Sequence, residues 1–164
     1  MKGLILYYSR TNKTRYVAEI LKDTLDKLDM FEIIEKNFSL RYGIFGFFKS
    51  GFDSMFNKKT DIVKTPDFSI YDLIVICCPV WAGKPAVPMR QIIEDNSLIL
   101  QNKIKFIITT SGSKNLKAFR LLEKLSGKVE TSINFSALSN EKPKIKALID
   151  SDIQNLAKHI SAKL

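Results

Sequence analysis

Three hydroxyl residues, Ser9, Thr11 and Thr14, fall within the stretch Ser9-Arg10-Thr11-Asn12-Lys13-Thr14. They lie just ahead of an amphipathic segment. There they can converge with the unbonded N–H groups of a helix start on one point, an anion site that suits a phosphate and needs no metal. The same residues also read as a plain helix cap, with Thr11 or Asn12 satisfying the first N–H groups. Three other phosphate chemistries are absent. A P-loop needs two glycines bracketing four residues and then Lys-Ser or Lys-Thr, and no such run exists. A cysteine-dependent phosphatase needs a cysteine in the first loop and an arginine six residues on; Ser9 occupies that loop, and Lys84 stands six after Cys78. A phospho-accepting receiver domain needs a carboxylate where Cys77, Cys78 and Pro79 stand.

The only tryptophan lies in Pro79-Val80-Trp81-Ala82-Gly83-Lys84-Pro85. A large aromatic on a rigid loop suits stacking on a planar ring, and Gly83 allows unusual torsions. The plainer alternative is that Trp81 covers the end of the core.

Both loops need a scaffold that sets them side by side. Leu4 to Tyr8 is a short apolar run ended by polar residues, as in a strand buried on both faces. From Thr14, the residues Val17, Ile20, Leu21, Leu25 and Leu28 recur at three- and four-residue steps and predict an amphipathic helix. Phe31 to Glu35 reads as a second strand, and Leu73 to Cys78 as a third that Pro79 stops. A helix from Pro88 to Ile93, a strand from Ile104 to Thr109, a helix from Leu116 to Leu125 and a strand within Val129 to Leu138 follow. A charged helix from about Lys144 to Leu164 closes the chain. This alternation predicts an α/β fold, a parallel sheet with helices on both faces, in one domain over residues 1–164. Ligands of such sheets bind beyond the carboxyl ends of the strands, where strand order reverses. That rule brings an exposed Trp81 beside the Ser9 loop.

Together the Ser9 loop, the Pro79 to Gly83 loop and Thr109-Thr110-Ser111-Gly112-Ser113 resemble, in order and spacing, the three FMN-contacting loops of the flavodoxin family. The likeness covers nearly the whole chain, and Tyr71-Asp72 to Pro88 is its most specific stretch. It implies a doubly wound, five-stranded parallel sheet of order 2-1-3-4-5 that binds FMN. Ser9, Arg10, Thr11, Asn12, Lys13 and Thr14 would hold the phosphate. Pro79, Val80, Trp81, Ala82 and Gly83 would contact the ring and ribityl chain, and Thr110, Ser111, Gly112 and Ser113 would close the other side. The resemblance also implies a peptide, here Ala82-Gly83, whose carbonyl can turn toward flavin N5. Departures are visible. Asn12 replaces a frequent glycine, though asparagine also tolerates a left-handed backbone. Lys13 adds a cation near the phosphate, and Cys78 replaces a common hydroxyl residue.

Between residues 40 and 60 lies an aromatic-rich insertion, Tyr42 to Phe56, in which Phe45, Phe48, Phe52, Met55 and Phe56 share one face at helical spacing. It reads as a core helix packed on the sheet. The alternatives are a cap near the flavin, a subunit contact that would make a homodimer, or a docking patch, because one helix face cannot hide that much aromatic surface. His159, the only histidine, reads as a surface residue of the last helix.

A chain of 164 residues with 45% hydrophobic residues buries one core without help from disulfides. Cys77 and Cys78 are adjacent, so they can neither staple the chain nor supply a metal-ligand spacing, which fits a reducing cytoplasm. No apolar run approaches the roughly 18 residues of a membrane span. The formal charge of +9 draws anions, yet no nucleic-acid reader motif accompanies it, and carrier flavodoxins are typically acidic.

The leading expectation is an FMN electron carrier with no catalytic residue and no metal, serving redox partner proteins of acidic character. An FMN-dependent NAD(P)H:quinone-type reductase is the alternative. A non-redox anion-binding module on the same fold is the third.

Overall fold

The computed structural model describes residues 1–25, 27–37, 39, 43–56, 58–110, 116–127, 129–135 and 143–162. Strand β1 (Gly3–Tyr7) is followed by α1 (Lys13–Thr24), β2 (Leu28–Glu32), α2 (Gly43–Met55), a short 3-10 turn (Phe68–Ile70), β3 (Leu73–Trp81) and β4 (Lys84–Pro85). Then come α3 (Val87–Asp95), α4 (Ser97–Leu100), β5 (Ile104–Thr110), α5 (Leu116–Ser126), β6 (Thr131–Phe135) and α6 (Pro143–Ser161). Five strands pair in parallel in the order β2-β1-β3-β5-β6, and β4 pairs antiparallel with the end of β3. Counting the parallel strands alone, this is the 2-1-3-4-5 order expected from the sequence.

Period-two alternation divides the strand residues between two cores. On one face Leu4, Leu6, Tyr8, Ile74, Ile76, Cys78 and Ile107 pack under Met89, Ile92 and Ile93 of α3 and Phe119 and Leu122 of α5. On the other, Ile5, Tyr7, Val75, Cys77, Phe106 and Ile108 pack under Val17, Ala18 and Leu21 of α1 and Ile153, Leu156 and Ile160 of α6. Burial on both faces is why these strands read as continuous apolar runs.

Three expectations fail locally. The first helix stops at Thr24, and Leu28 is the first residue of β2 rather than the last apolar residue of the helix; it is fully buried opposite Gly3. The second strand therefore ends at Glu32. Pro79 does not stop the third strand: Pro79 pairs with Thr110, its carbonyl accepts from Ala86 N at 3.0 Å, and β3 runs on to Trp81. Proline lacks only a donor, and a strand end that turns into a hairpin does not need one there.

The aromatic insertion is not a core helix. Among the described side chains of α2, Gly46, Ser50 and Asp53 are buried, while Ile44, Phe45, Phe48, Phe52 and Met55 are exposed, as is Phe56 just beyond it. Of the described side chains, the small and polar ones face the protein and these large apolar ones point outward. Tyr42 lies outside the described residues. His159 is exposed as expected, its ring edge-on to Phe106 at 5.9 Å.

Candidate functional site

β1 sits between β2 and β3, so strand order reverses at its carboxyl end, and the first loop leaves the sheet there. Asn12 caps α1 with φ 60° and ψ −3°, a left-handed conformation that asparagine adopts readily. Its side chain makes no capping bond. The first N–H groups of a helix have no acceptor inside the helix, so this terminus presents donors that the cap leaves unused. Ser9 is 4% exposed, and its Oγ is buried without a hydrogen bond. Such an orphan costs about 1–3 kcal/mol, which an anion accepting from the hydroxyl would recover. The donors fit a phosphate.

Two contacts gather the other strand ends around this loop. The hydroxyls of Thr14 and Thr110 lie 2.7 Å apart in a buried pair that ties α1 to the end of β5. Tyr8 and Trp81 meet edge to face, centroids 5.5 Å apart and planes at 81°, which ties the end of β1 to the end of β3.

A cleft of about 460 Å³ runs beside Ser9 to Asn12, closed on its far side by Arg15, Glu32 and Ile33. One Arg15 nitrogen donates to both Glu32 carboxylate oxygens, at 2.7 and 2.6 Å, and this partner raises the arginine's pKa. The Tyr7 hydroxyl is pushed up to about 12, first by burial and then by the Glu32 charge.

A second cavity of about 720 Å³ opens between α2 and the β3–β4 hairpin. Phe48, Phe52 and Met55 form one wall, and Val80, Trp81 and Ala82 the other. Asp53, 4% exposed, sits at its edge in ion pairs with Lys49 (3.0 Å) and Lys58 (3.6 Å). Between Trp81 and Lys84 the turn residues Ala82 and Gly83 take φ of 47° and 80°, both left-handed, as a two-residue hairpin turn demands. Burial pushes both thiols up, Cys78 to about 12, so neither is a nucleophile near neutrality.

No family model matches the chain, and no curated protein does. Solved structures do match. A flavoprotein from Lactobacillus acidophilus in complex with FMN superposes with a TM-score of 0.65 at 22% identity, over 81% of this chain and 90% of that one. A flavodoxin from Streptococcus pneumoniae matches with a TM-score of 0.62 at 16% identity, and flavodoxin 2 from Bacillus cereus with 0.60 at 16%, each over the whole of both chains. The fold is that of the flavodoxins.

Within this flavodoxin-like sheet, Ser9, Arg10, Thr11 and Asn12 line the first cleft as a group, whereas Lys13 is exposed and does not line it. Thr14 is buried, with its hydroxyl paired to that of Thr110, and does not line the cleft. Val80, Trp81 and Ala82 line the apolar cavity; Pro79 and Gly83, half-buried, shape the hairpin without lining it. Trp81 is not the exposed platform expected: it is 7% exposed, because β3 outruns Pro79 and the hairpin folds the indole onto Tyr8. It still borders open space. Ser111, Gly112 and Ser113 lie outside the described residues. Arg15 and Glu32 were not anticipated, whereas the α2 wall matches the alternative that set the aromatic insertion as a cap near this end of the sheet. A β2 boundary drawn at Glu32 would have set that carboxylate at the same rim as Ser9.

Proposed function

We propose that this chain binds FMN and works as a flavodoxin-like electron carrier. The unbonded, buried Ser9 Oγ at the open N-terminus of α1 carries the reading. In this arrangement Ser9, Thr11 and the first N–H groups of α1 hold the phosphate, with Arg10 and Lys13 supplying positive charge nearby. The ring lies toward the β3–β4 hairpin, where Val80, Trp81 and Ala82 offer an apolar wall and Phe48, Phe52 and Met55 face them. When bound, FMN supplies one- or two-electron transfer. The chain's part is to fix the cofactor, keep water from the walled side of the ring and set its electrostatic surroundings; no acid, base or metal is required of it. Ser111, Gly112 and Ser113 belong to the same proposal from sequence. Two buried free cysteines accord with a cytoplasmic setting, and the +9 charge with acidic redox partners.

The L. acidophilus flavoprotein's FMN complex supports the choice of cofactor. Titrating apoprotein with FMN tests it: flavin fluorescence should be quenched at stoichiometric protein, and unchanged fluorescence would leave only a non-redox anion-binding role. The size of the apolar cavity favours a second reading, a reductase in which a nicotinamide or quinone enters beside the ring. Sustained NADH or NADPH oxidation with a quinone by the holoprotein alone would select it over the carrier.

A further inference from the structure

Helix α2 is built inside out. Gly46, Ser50 and Asp53 face the protein, and the Ser50 hydroxyl is turned back onto the Gly46 carbonyl at 2.6 Å. Over about three turns, Ile44, Phe45, Phe48, Phe52, Met55 and Phe56 form an outward stripe, with exposures from 51% for Phe52 to 88% for Phe45. A water-soluble surface rarely carries so much contiguous apolar area unless something covers it. The cavity beside Trp81 accounts for Phe48, Phe52 and Met55 alone; Ile44, Phe45 and Phe56 do not line it and are exposed, Phe56 with its ring 4.4 Å from that of Phe52.

The surrounding charge narrows the choice of partner. Lys49 lies on the edge of the stripe, Lys58 and Lys59 follow its end, and Lys84 Nζ donates to the Met55 carbonyl at 3.1 Å, so four lysines border the ridge. Carboxylates oppose them: Asp53 is shared by Lys49 and Lys58, Asp95 pairs with Lys59 at 3.3 Å, and Glu35 and Asp61 line a polar pocket with Lys49 and Lys59. A second copy of the chain docked through the same ridge would bring these lysines against their own counterparts, on molecules each carrying +9. An anionic lipid surface has the opposite character. It accepts a convex apolar ridge with no matching groove, and lysine stems lie along the apolar face while their ammonium groups reach the headgroups. No helix among the described residues is long and apolar enough to cross a membrane, so α2 would lie in the surface plane.

We propose that α2 is an interfacial helix that holds this protein, reversibly, on anionic phospholipid surfaces, with Ile44, Phe45 and Phe56 entering the headgroup–acyl boundary and the bordering lysines meeting lipid phosphates. This does not rest on FMN binding, although it would bring the apolar cavity beside Trp81 to the membrane surface.

The test is flotation of the full-length protein, with and without FMN, on vesicles of phosphatidylglycerol mixed with phosphatidylcholine and on vesicles of phosphatidylcholine alone. The protein should float with the anionic vesicles, weakly or not at all with the neutral ones, and less as salt rises. Ile44→Ser with Phe45→Ser should lower the partition at least about tenfold, because two largely exposed apolar side chains are lost from the boundary, while the circular dichroism spectrum and melting temperature stay unchanged. Lys58→Glu with Lys59→Glu should abolish the preference for anionic vesicles. The proposal is overturned if the wild-type protein stays in solution with anionic vesicles at low salt. It is equally overturned if the serine variants float as well as wild type, or if size-exclusion chromatography shows a dimer that those variants dissociate.

Discussion

Replacing Ser9 by alanine should move two measurements in opposite directions. In the protein without ligand the Ser9 Oγ is buried and makes no hydrogen bond, so its removal deletes a desolvated polar group and leaves only a small void. Relief of part of that penalty, about 1 kcal/mol, should raise the melting temperature of the apoprotein by about 2–4 °C for a chain of this length. In the complex the same hydroxyl would donate to a charged phosphate oxygen, an interaction of about 1.5–3 kcal/mol, so Ser9→Ala should weaken FMN binding by about 10- to 100-fold. Differential scanning calorimetry of apoprotein and fluorescence titration with FMN read the two effects separately. A variant whose apoprotein melts lower while FMN affinity holds would refute the reasoning, because Ser9 would then be a structural hydroxyl.

Three further outcomes follow from the geometry. Thr14→Val should cost about 1–2 kcal/mol in urea denaturation by leaving the Thr110 hydroxyl buried and unpaired, and Thr14→Val with Thr110→Val should recover much of that loss; a double variant as damaged as the sum of the singles would contradict the pairing. Ala82→Asn should raise stability by about 0.5–1 kcal/mol in the same assay, since asparagine tolerates the left-handed conformation that alanine holds at φ 47°. The Tyr7 hydroxyl is raised from the ordinary 10 to about 12 in the fold, so the stability it contributes is full below pH 10 and lost as pH rises toward 12. Denaturation midpoints across that window should fall less steeply in Tyr7→Phe, and Glu32→Gln should move the tyrosine ionisation seen by ultraviolet absorbance downward.

Much of the scaffold was legible because the central strands are buried on both faces. Leu73 to Cys78 is an unbroken apolar run, Ile104 to Ile108 is apolar but for Lys105, and the flanking helices carry clear apolar stripes. The Ser9 loop's place at the carboxyl end of the first strand, leading into α1, was legible from the apolar run before it and the amphipathic segment after it. What was misread depended on non-local contacts. Leu28 fits the spacing of α1 as well as it fits β2, and only its pairing with Gly3 decides. Pro79 looks like a strand stop until the hairpin partner Lys84-Pro85 is in place. The choice between an exposed Trp81 and one covering the end of the core, both open in the sequence, is decided by Tyr8, whose ring stands 5.5 Å away. α2 defeats the usual inference that an apolar helix face points inward, since periodicity reports amphipathicity and not direction; the small residues Gly46 and Ser50 on the opposite face were the available clue.

Calorimetric titration of the apoprotein with FMN and with riboflavin, which differ only in the phosphate, tests the central claim most directly. If Ser9, Thr11 and the N-terminus of α1 grip that group, FMN should bind at least about a hundredfold more tightly than riboflavin, with the advantage shrinking in Ser9→Ala. Equal affinities, or no binding of either flavin, would contradict the account.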